Sequence, residues 1–233
     1  IFNNGTLALT LSVVAGNTAP TGPDIGGTVA TDGGGNVIGD TAGSTGLIAA
    51  SDKLNVSALL GPLASNGGPT QTFALLPGSP AIDIAPCPAL LTTDQRGIMR
   101  PQGALCDAGS FESRGFAATA NTGNGQSVAL NTTFLAPVTL TLASTQMEPV
   151  VGGQVTFTIT PGGGGASATF PAAGGCTLTS ATIAVCPITG GGVATSPAFT
   201  ANGSLGLLTI TATASGSAAT TLPIAPSSFR AGI

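Results

Sequence analysis

The stretch Gly5-Thr-Leu-Ala-Leu-Thr-Leu-Ser-Val-Val-Ala-Gly-Asn17 decides the fold of the first half, because both of its ends return. Gly5-Thr-Leu7 comes back as Gly27-Thr-Val29, and Val13-Val-Ala-Gly-Asn17 as Val37-Ile-Gly-Asp40. A third turn is placed at Leu59-Leu-Gly-Pro-Leu63, leading into Asn66-Gly-Gly68. Offsets of 22, 23 or 24 and then 26 residues, with short apolar runs and an Asn or Asp at each turn, predict a parallel β-helix of about three coils. Inward Val, Leu and Ile would stack from coil to coil, and turn Asn side chains would form a ladder. Dense Gly and β-branched residues argue against helical repeats.

Further along, the pattern changes. Val138-Thr-Leu-Thr-Leu142, Val155-Thr-Phe-Thr-Ile159, Ala166-Ser-Ala-Thr-Phe170 and Leu207-Leu-Thr-Ile-Thr-Ala-Thr213 alternate with period two between Gly-rich turns. Such spacing predicts an antiparallel sandwich of about seven strands. Twelve of the fourteen charges precede residue 115, and only Glu148 and Arg230 follow it. We therefore divide this all-β chain into residues 1–114, β-helix coils ending in a cap, and residues 115–233, a sandwich with a C-terminal tail.

Composition removes several function classes. In 233 residues there are 36 Gly and 17 Pro, no His, Trp or Tyr, and 6% charged residues, against roughly 25% in ordinary domains. Lack of His removes the commonest general base and any Ser-His-Asp or Cys-His dyad. Five Lys+Arg against nine Asp+Glu leave no basic footprint for nucleic acid. At 42% apolar residues the chain can bury a core, but Gly, Pro, Ser or Thr interrupts every run before the length of a membrane span. No initiator Met or signal-like segment stands at Ile1, which we read as the mark of a processed or trimmed product, whose export signal, if it had one, lay upstream.

Four Cys point to disulfides and an oxidising compartment. Cys87 and Cys106 flank a charged loop, and Cys176 and Cys186 flank an alternating apolar run. Two local bridges fit better than zinc, since there is neither Cys-x-x-Cys nor His; four buried free thiols are the alternative. Asp24, Asp32 and Asp40 sit beside Gly or Pro and read as turn residues rather than calcium ligands. Asp94, Arg96, Arg100, Asp107 and Glu112 form the densest charged set, with Asp83 and Arg114 beside them. Arg96 and Arg100 are open to two readings. One is an anion or uronate clamp; the other, which we favour, pairs them with Asp94, Asp107 and Glu112 to lock the loop closed by Cys87–Cys106. We assign no catalytic residue, metal or cofactor.

Ile1-Phe-Asn-Asn-Gly-Thr-Leu-Ala-Leu-Thr10 resembles the coil of bacterial pectate-lyase-like surface β-helices. Leu60-Gly-Pro-Leu-Ala-Ser-Asn-Gly-Gly-Pro-Thr-Gln-Thr72, Thr93-Asp-Gln-Arg-Gly97 and Cys106-Asp-Ala-Gly-Ser-Phe-Glu112 resemble the end of that helix in a choice-of-anchor type module. Gly153-Gln-Val-Thr-Phe-Thr158 and Ala194-Thr-Ser-Pro-Ala-Phe-Thr-Ala-Asn-Gly203 are similar to bacterial immunoglobulin-like repeats of invasin and adhesin stalks. The first of these resemblances implies secretion, large repetitive surface proteins and usually no demonstrated catalysis. The chain departs from the first family in keeping only about three coils.

Three functions follow as expectations. The first is a self-assembling extracellular subunit whose partners are copies of itself. Ile1 and Phe2 would mark an open coil, and Leu222, Ile224, Phe229 and Ile233 an alternating tail that docks on a neighbour's edge. The second is part of a longer adhesin stalk bound to cell-surface or matrix components. The third, a carbohydrate-active β-helix enzyme, calls for a row of carboxylates and Arg or Lys on one coil face.

Overall fold

Apolar pairs as short as Val13-Val14 hold their place only when a neighbouring strand repeats them, and here they are repeated. The computed structural model describes residues 1–215 and 227–231, with the backbone alone for 119–121 and 227–231. Its two compact units are Ile1–Gly115 and Phe116–Ile233.

In the first unit, β1 (Leu7–Leu9) and β2 (Val13–Val14) are followed by β3 (Gly27–Asp32) and β4 (Val37–Ile38). Then come β5 (Ser44–Thr45) and β6 (Lys53–Leu54). Two parallel ladders result, β1–β3–β5 and β2–β4–β6. Leu7 stands beside Val29 and Gly27 beside Ser44, while Val13 stands beside Val37 and Val37 beside Lys53. The chain thus passes three times through the same two ladders. Leu9, Ile25, Val29 and Ile38 are buried between the passages, with Leu7, Val14, Leu47 and Leu54 packed against them. Each such side chain contributes about 1.5–3 kcal/mol when fully buried. Gly27 has φ +111°, and a Cβ there would meet the Asn3 carbonyl oxygen at 2.4 Å, so only glycine lets residues 1–3 run alongside.

The third passage departs from the sequence expectation. It lies at Ser44–Leu54, not at Leu59–Leu63. Instead, β7 (Leu60–Ala64) turns back on β8 (Thr72–Leu75) as an antiparallel pair with Leu63 opposite Phe73. Pro62 has no N–H to carry a ladder onward, and Asn66-Gly-Gly68 supplies the turn.

The second unit opens with β9 (Ala117–Thr122), β10 (Ser127–Val128), β11 (Thr139–Ala143) and β12 (Gln154–Thr160). It continues through β13 (Ala168–Thr169), β14 (Thr177–Ser180), β15 (Ile183–Pro187) and β16 (Val193–Thr195). Last come β17 (Thr200–Ala201), β18 (Gly206–Thr213) and β19 (Ser227–Ala231). One sheet runs β10–β19–β18–β12–β15–β14, another β16–β11–β9, with β13 and β17 a separate pair. Period-two alternation puts Leu140 and Leu142 of one sheet, and Val155, Phe157, Ile159, Leu208 and Ile210 of the other, into a single core. Phe134 stacks on Phe199 at 4.5 Å between centroids, and Phe170 meets Phe199 edge-on at 6.4 Å. Pairs of this kind add about 0.5–1.5 kcal/mol beyond their buried area.

Phe229 corrects the tail expectation. It lies on β19, an inner strand paired with β18 on one side and β10 on the other. The edge of β18 carries N–H and C=O groups that need partners, and β19 of the same chain supplies them. Leu222, Ile224 and Ile233 lie outside the described residues.

Candidate functional site

Antiparallel bridges Ala85–Cys106 and Thr93–Met99 fold the segment after β8 into a cap. The disulfide Cys87–Cys106 closes it; the second disulfide, Cys176–Cys186, lies in the other unit. Asp94 gathers the start of the cap. Its Oδ1 accepts from the N–H groups of Arg96 and Ile98, and its Oδ2 from Arg96 Nε and the Glu112 N–H. Arg96 Nη2 lies 2.7 Å from the same oxygen and also donates to the Glu112 carbonyl. The Arg96 guanidinium rests 3.5 Å above the centre of the Phe111 ring. Gly68 makes room for it, since a Cβ there would come within 2.9 Å of Arg96 Cγ.

Arg100 anchors the far side. Nη1 donates to Glu112 Oε2 at 2.9 Å and to the Asp107 carbonyl at 2.6 Å, and Nη2 donates to the Gly109 carbonyl. Glu112 accepts also from the N–H groups of Gln102 and Asp107. Both ion-paired side chains on each side are at most 1% exposed. The guanidinium groups are therefore turned into the fold. In one respect the charged set differs from expectation. Among the described residues Asp107 has no ion-pair partner: its carboxyl oxygens accept from the N–H groups of Asp83 and Ser113, and Arg100 reaches its carbonyl. Gln102, Ser113 and Phe111 are members of the site that charge counting overlooks.

Burial dominates the electrostatics. It works against ionised Asp94, but hydrogen bonds from Glu112 N–H, Arg96 and Ile98 N–H hold that carboxyl below its ordinary range. Burial raises Glu112 despite Gln102, Asp107 N–H and Arg100. Asp107 is pushed up to about 8, first by burial and then by the charge of Glu112 beside it.

A second set of polar groups stitches the passages together. Ser12 N–H donates to Asn36 Oδ1, and Asn36 N–H to Asp52 Oδ1, across separations of 24 and 16 residues. Asp32 accepts from Gly34 N–H and Asn36 Nδ2 in its own passage and from the N–H groups of Ile48 and Ala49 in the next. Burial disfavours its charge, yet the three backbone donors hold Asp32 low, while burial raises Asp52 beside it. Asp24, 1% exposed, accepts from Asn17 and from Asp40 N–H. Asp24 and Asp32 are thus ties between passages, a role beyond that of turn residues, and Asp40 accepts from Ala42 N–H within its own turn. Among the described residues no group of three or more His, Cys, Asp or Glu side chains is set to hold a metal.

Beside the first passage lies a cavity of about 770 Å³, lined in part by Val13, Val14, Leu60, Phe73, Leu75 and Phe111. Ile1 and Phe2 stand next to this end, 51% and 83% exposed, with Ile1 donating from its amino group to the Asp24 carbonyl. No helix among the described residues is long and apolar enough to cross a membrane. No family model, curated protein or solved structure matches the chain.

Proposed function

We propose that this chain is a non-enzymatic extracellular structural protein of a bacterial surface, a subunit that assembles with copies of itself into a filament, fibre or sheath. In this reading the first unit is a short parallel β-helix closed by its disulfide-bonded cap, and the second an immunoglobulin-like sandwich. The two parallel ladders support the former. Two sheets around one core, with β19 parallel to the short early β10, support the latter.

One observation carries the assembly. Among the described residues, β1 and β2 at one end of the ladders and β5 and β6 at the other are each paired on one side only. A strand with a free side is a template for another chain. When such ends differ, they join head to tail, and where the rotation between copies does not close into a ring the product is an open filament. Exposed Ile1 and Phe2 add apolar surface at the first end. The non-enzymatic part rests on how the charged groups are engaged, with Arg96, Arg100, Asp24 and Asp32 all committed to backbone and ion-pair partners within the fold. The extracellular part rests on two disulfides, the cross-links of oxidising compartments.

Negative-stain imaging paired with sedimentation over a concentration series tests the proposal. Regular filaments, with sedimentation rising steeply with concentration, are expected. A concentration-independent monomer would overturn self-assembly and leave the chain as a spacer of a longer adhesin stalk.

A further inference from the structure

Successive passages put different residues at the same corner. In the second passage Asn36 accepts the Ser12 N–H on Oδ1 and donates from Nδ2 to Asp32 Oδ1. In the third, Asp52 takes the matching place, its Oδ1 accepting the Asn36 N–H. The two carboxyl groups, Asp32 and Asp52, are hydrogen-bonded to each other. Yet Oδ2 of Asp52 is buried and no N–H or hydroxyl reaches it. Asp32 has the opposite supply, with four donors on its two oxygens: the N–H groups of Gly34, Ile48 and Ala49, and Asn36 Nδ2. An ionised carboxyl can only accept, so a bond between two of them needs a proton on one. A buried carboxylate oxygen with no donor is also unfavourable in itself.

We propose that Asp32 and Asp52 hold one proton between them, carried on Asp52 Oδ2 and donated to the Asp32 carboxylate, and that this acid pair clips the third passage to the second. Protonated, Asp52 offers one acceptor and one donor, as the Asn36 amide does one passage earlier. Asp32 is the anion of the pair because its four donors already stabilise a charge. Ionisation of Asp52 releases the proton to solvent, leaves two carboxylates facing each other and loosens residues 44–54. That segment carries β5 and β6, the last strands of the two ladders, so the pair governs how firmly that end is held. The clip concerns a single chain and stands whether or not chains assemble.

The charged group facing Asp52 is Asp32. Lys53, next in the chain, is exposed on β6, and Asp24 and Asp40 are engaged at another corner with Asn17 and Ala42. The electrostatics run the same way as the donor count. Burial, and then the charge and hydrogen bond of Asp32, raise Asp52 against the Asn36 N–H. Burial also disfavours the Asp32 charge, but the N–H groups of Ala49, Ile48 and Gly34, and then Asp52, hold it low. An acid raised in the clipped form withdraws stability from that form as the pH climbs from the unfolded-state value, about 3.9, through its own midpoint. Above that midpoint the loss levels off.

The test uses the intact chain. The carboxyl carbons of Asp32 and Asp52 are followed by NMR from about pH 2 to 8, and the amide exchange of residues 44–54 is measured over the upper part of that range. Two steps are expected, one below and one above the ordinary aspartate value of about 3.9, with each carbon sensing both. The opening constant of 44–54 should rise by up to tenfold per pH unit above about pH 4 and level off at the upper step. Asp52→Asn keeps an acceptor for the Asn36 N–H and gives Asp32 a permanent donor. It should abolish that slope and open less readily than the unaltered chain at pH 7. A single midpoint near 4 for both carboxyls, or a variant that opens more readily at pH 7, would overturn the clip. Should the variant not fold, the two-carbon titration of the unaltered chain decides alone.

Discussion

Arg100 holds three acceptors with two nitrogens, and only one of them, Glu112, is charged. Removing the cation leaves that carboxylate buried beside Asp107, so Arg100→Met should lower stability by about 3–5 kcal/mol. Adding Glu112→Gln should recover part of the loss. A neutral amide needs no cation, and its oxygen can still accept an N–H now given to Glu112 by Gln102 or Asp107. Denaturant unfolding of the single and double variants measures this; a double variant worse than Arg100→Met would refute it. The members of the charged set were legible in the sequence because they are nearly all the charges of their segment. Their partners were not. Nothing in Cys106-Asp-Ala-Gly-Ser-Phe-Glu112 tells that Asp107 offers Arg100 its carbonyl rather than its carboxyl, or that Phe111 lies under Arg96.

Strands of two residues, such as Val37–Ile38, gain little from their own ladder bonds and depend on the corners that align them. Asn36, fully buried, is such a corner: it accepts from Ser12 N–H and donates to Asp32. Asn36→Ala should therefore lower the stability of the first unit by about 1–3 kcal/mol, the cost of leaving a buried donor unmatched. Exchange at Ser12 should quicken by a corresponding factor, and unchanged exchange there would remove the corner from the account. Passages one and two were readable because Val13-Val14 and Val37-Ile38 repeat as apolar pairs. The third was hidden because Ser44–Thr45 and Lys53–Leu54 are mostly polar and return after 16 or 17 residues rather than 22–26. The apolar Leu59–Leu63 took their place in the pattern. In the second half the strands near 138–142, 155–159 and 207–213 were legible to within a residue or so, since alternation alone fixes which face is buried.

Across the whole molecule, charge is divided unequally, so pH acts on the two units differently. Asp94 and Asp32, held low, contribute stability that is present above about pH 3.9 and lost as the pH falls below it. Asp107, raised to about 8 by burial and then by Glu112, withdraws stability as the pH climbs from about 3.9 toward that value. Amide protection in residues 1–115 should therefore peak between about pH 4 and 5, whereas protection in β12 and β18 should stay level from pH 4 to 9. A shared pH profile would contradict this. The corner Ser12–Asn36–Asp52 has a last consequence. Each rung hands its N–H forward to the next, and the last turns its own N–H back to the Ala49 carbonyl. Such a series has a reading direction, and a middle rung is tied in the same way to the rung on either side of it. A gene can then lengthen or shorten the stack by duplicating or deleting one cassette that begins at an Asn or Asp corner, without rewriting either terminus.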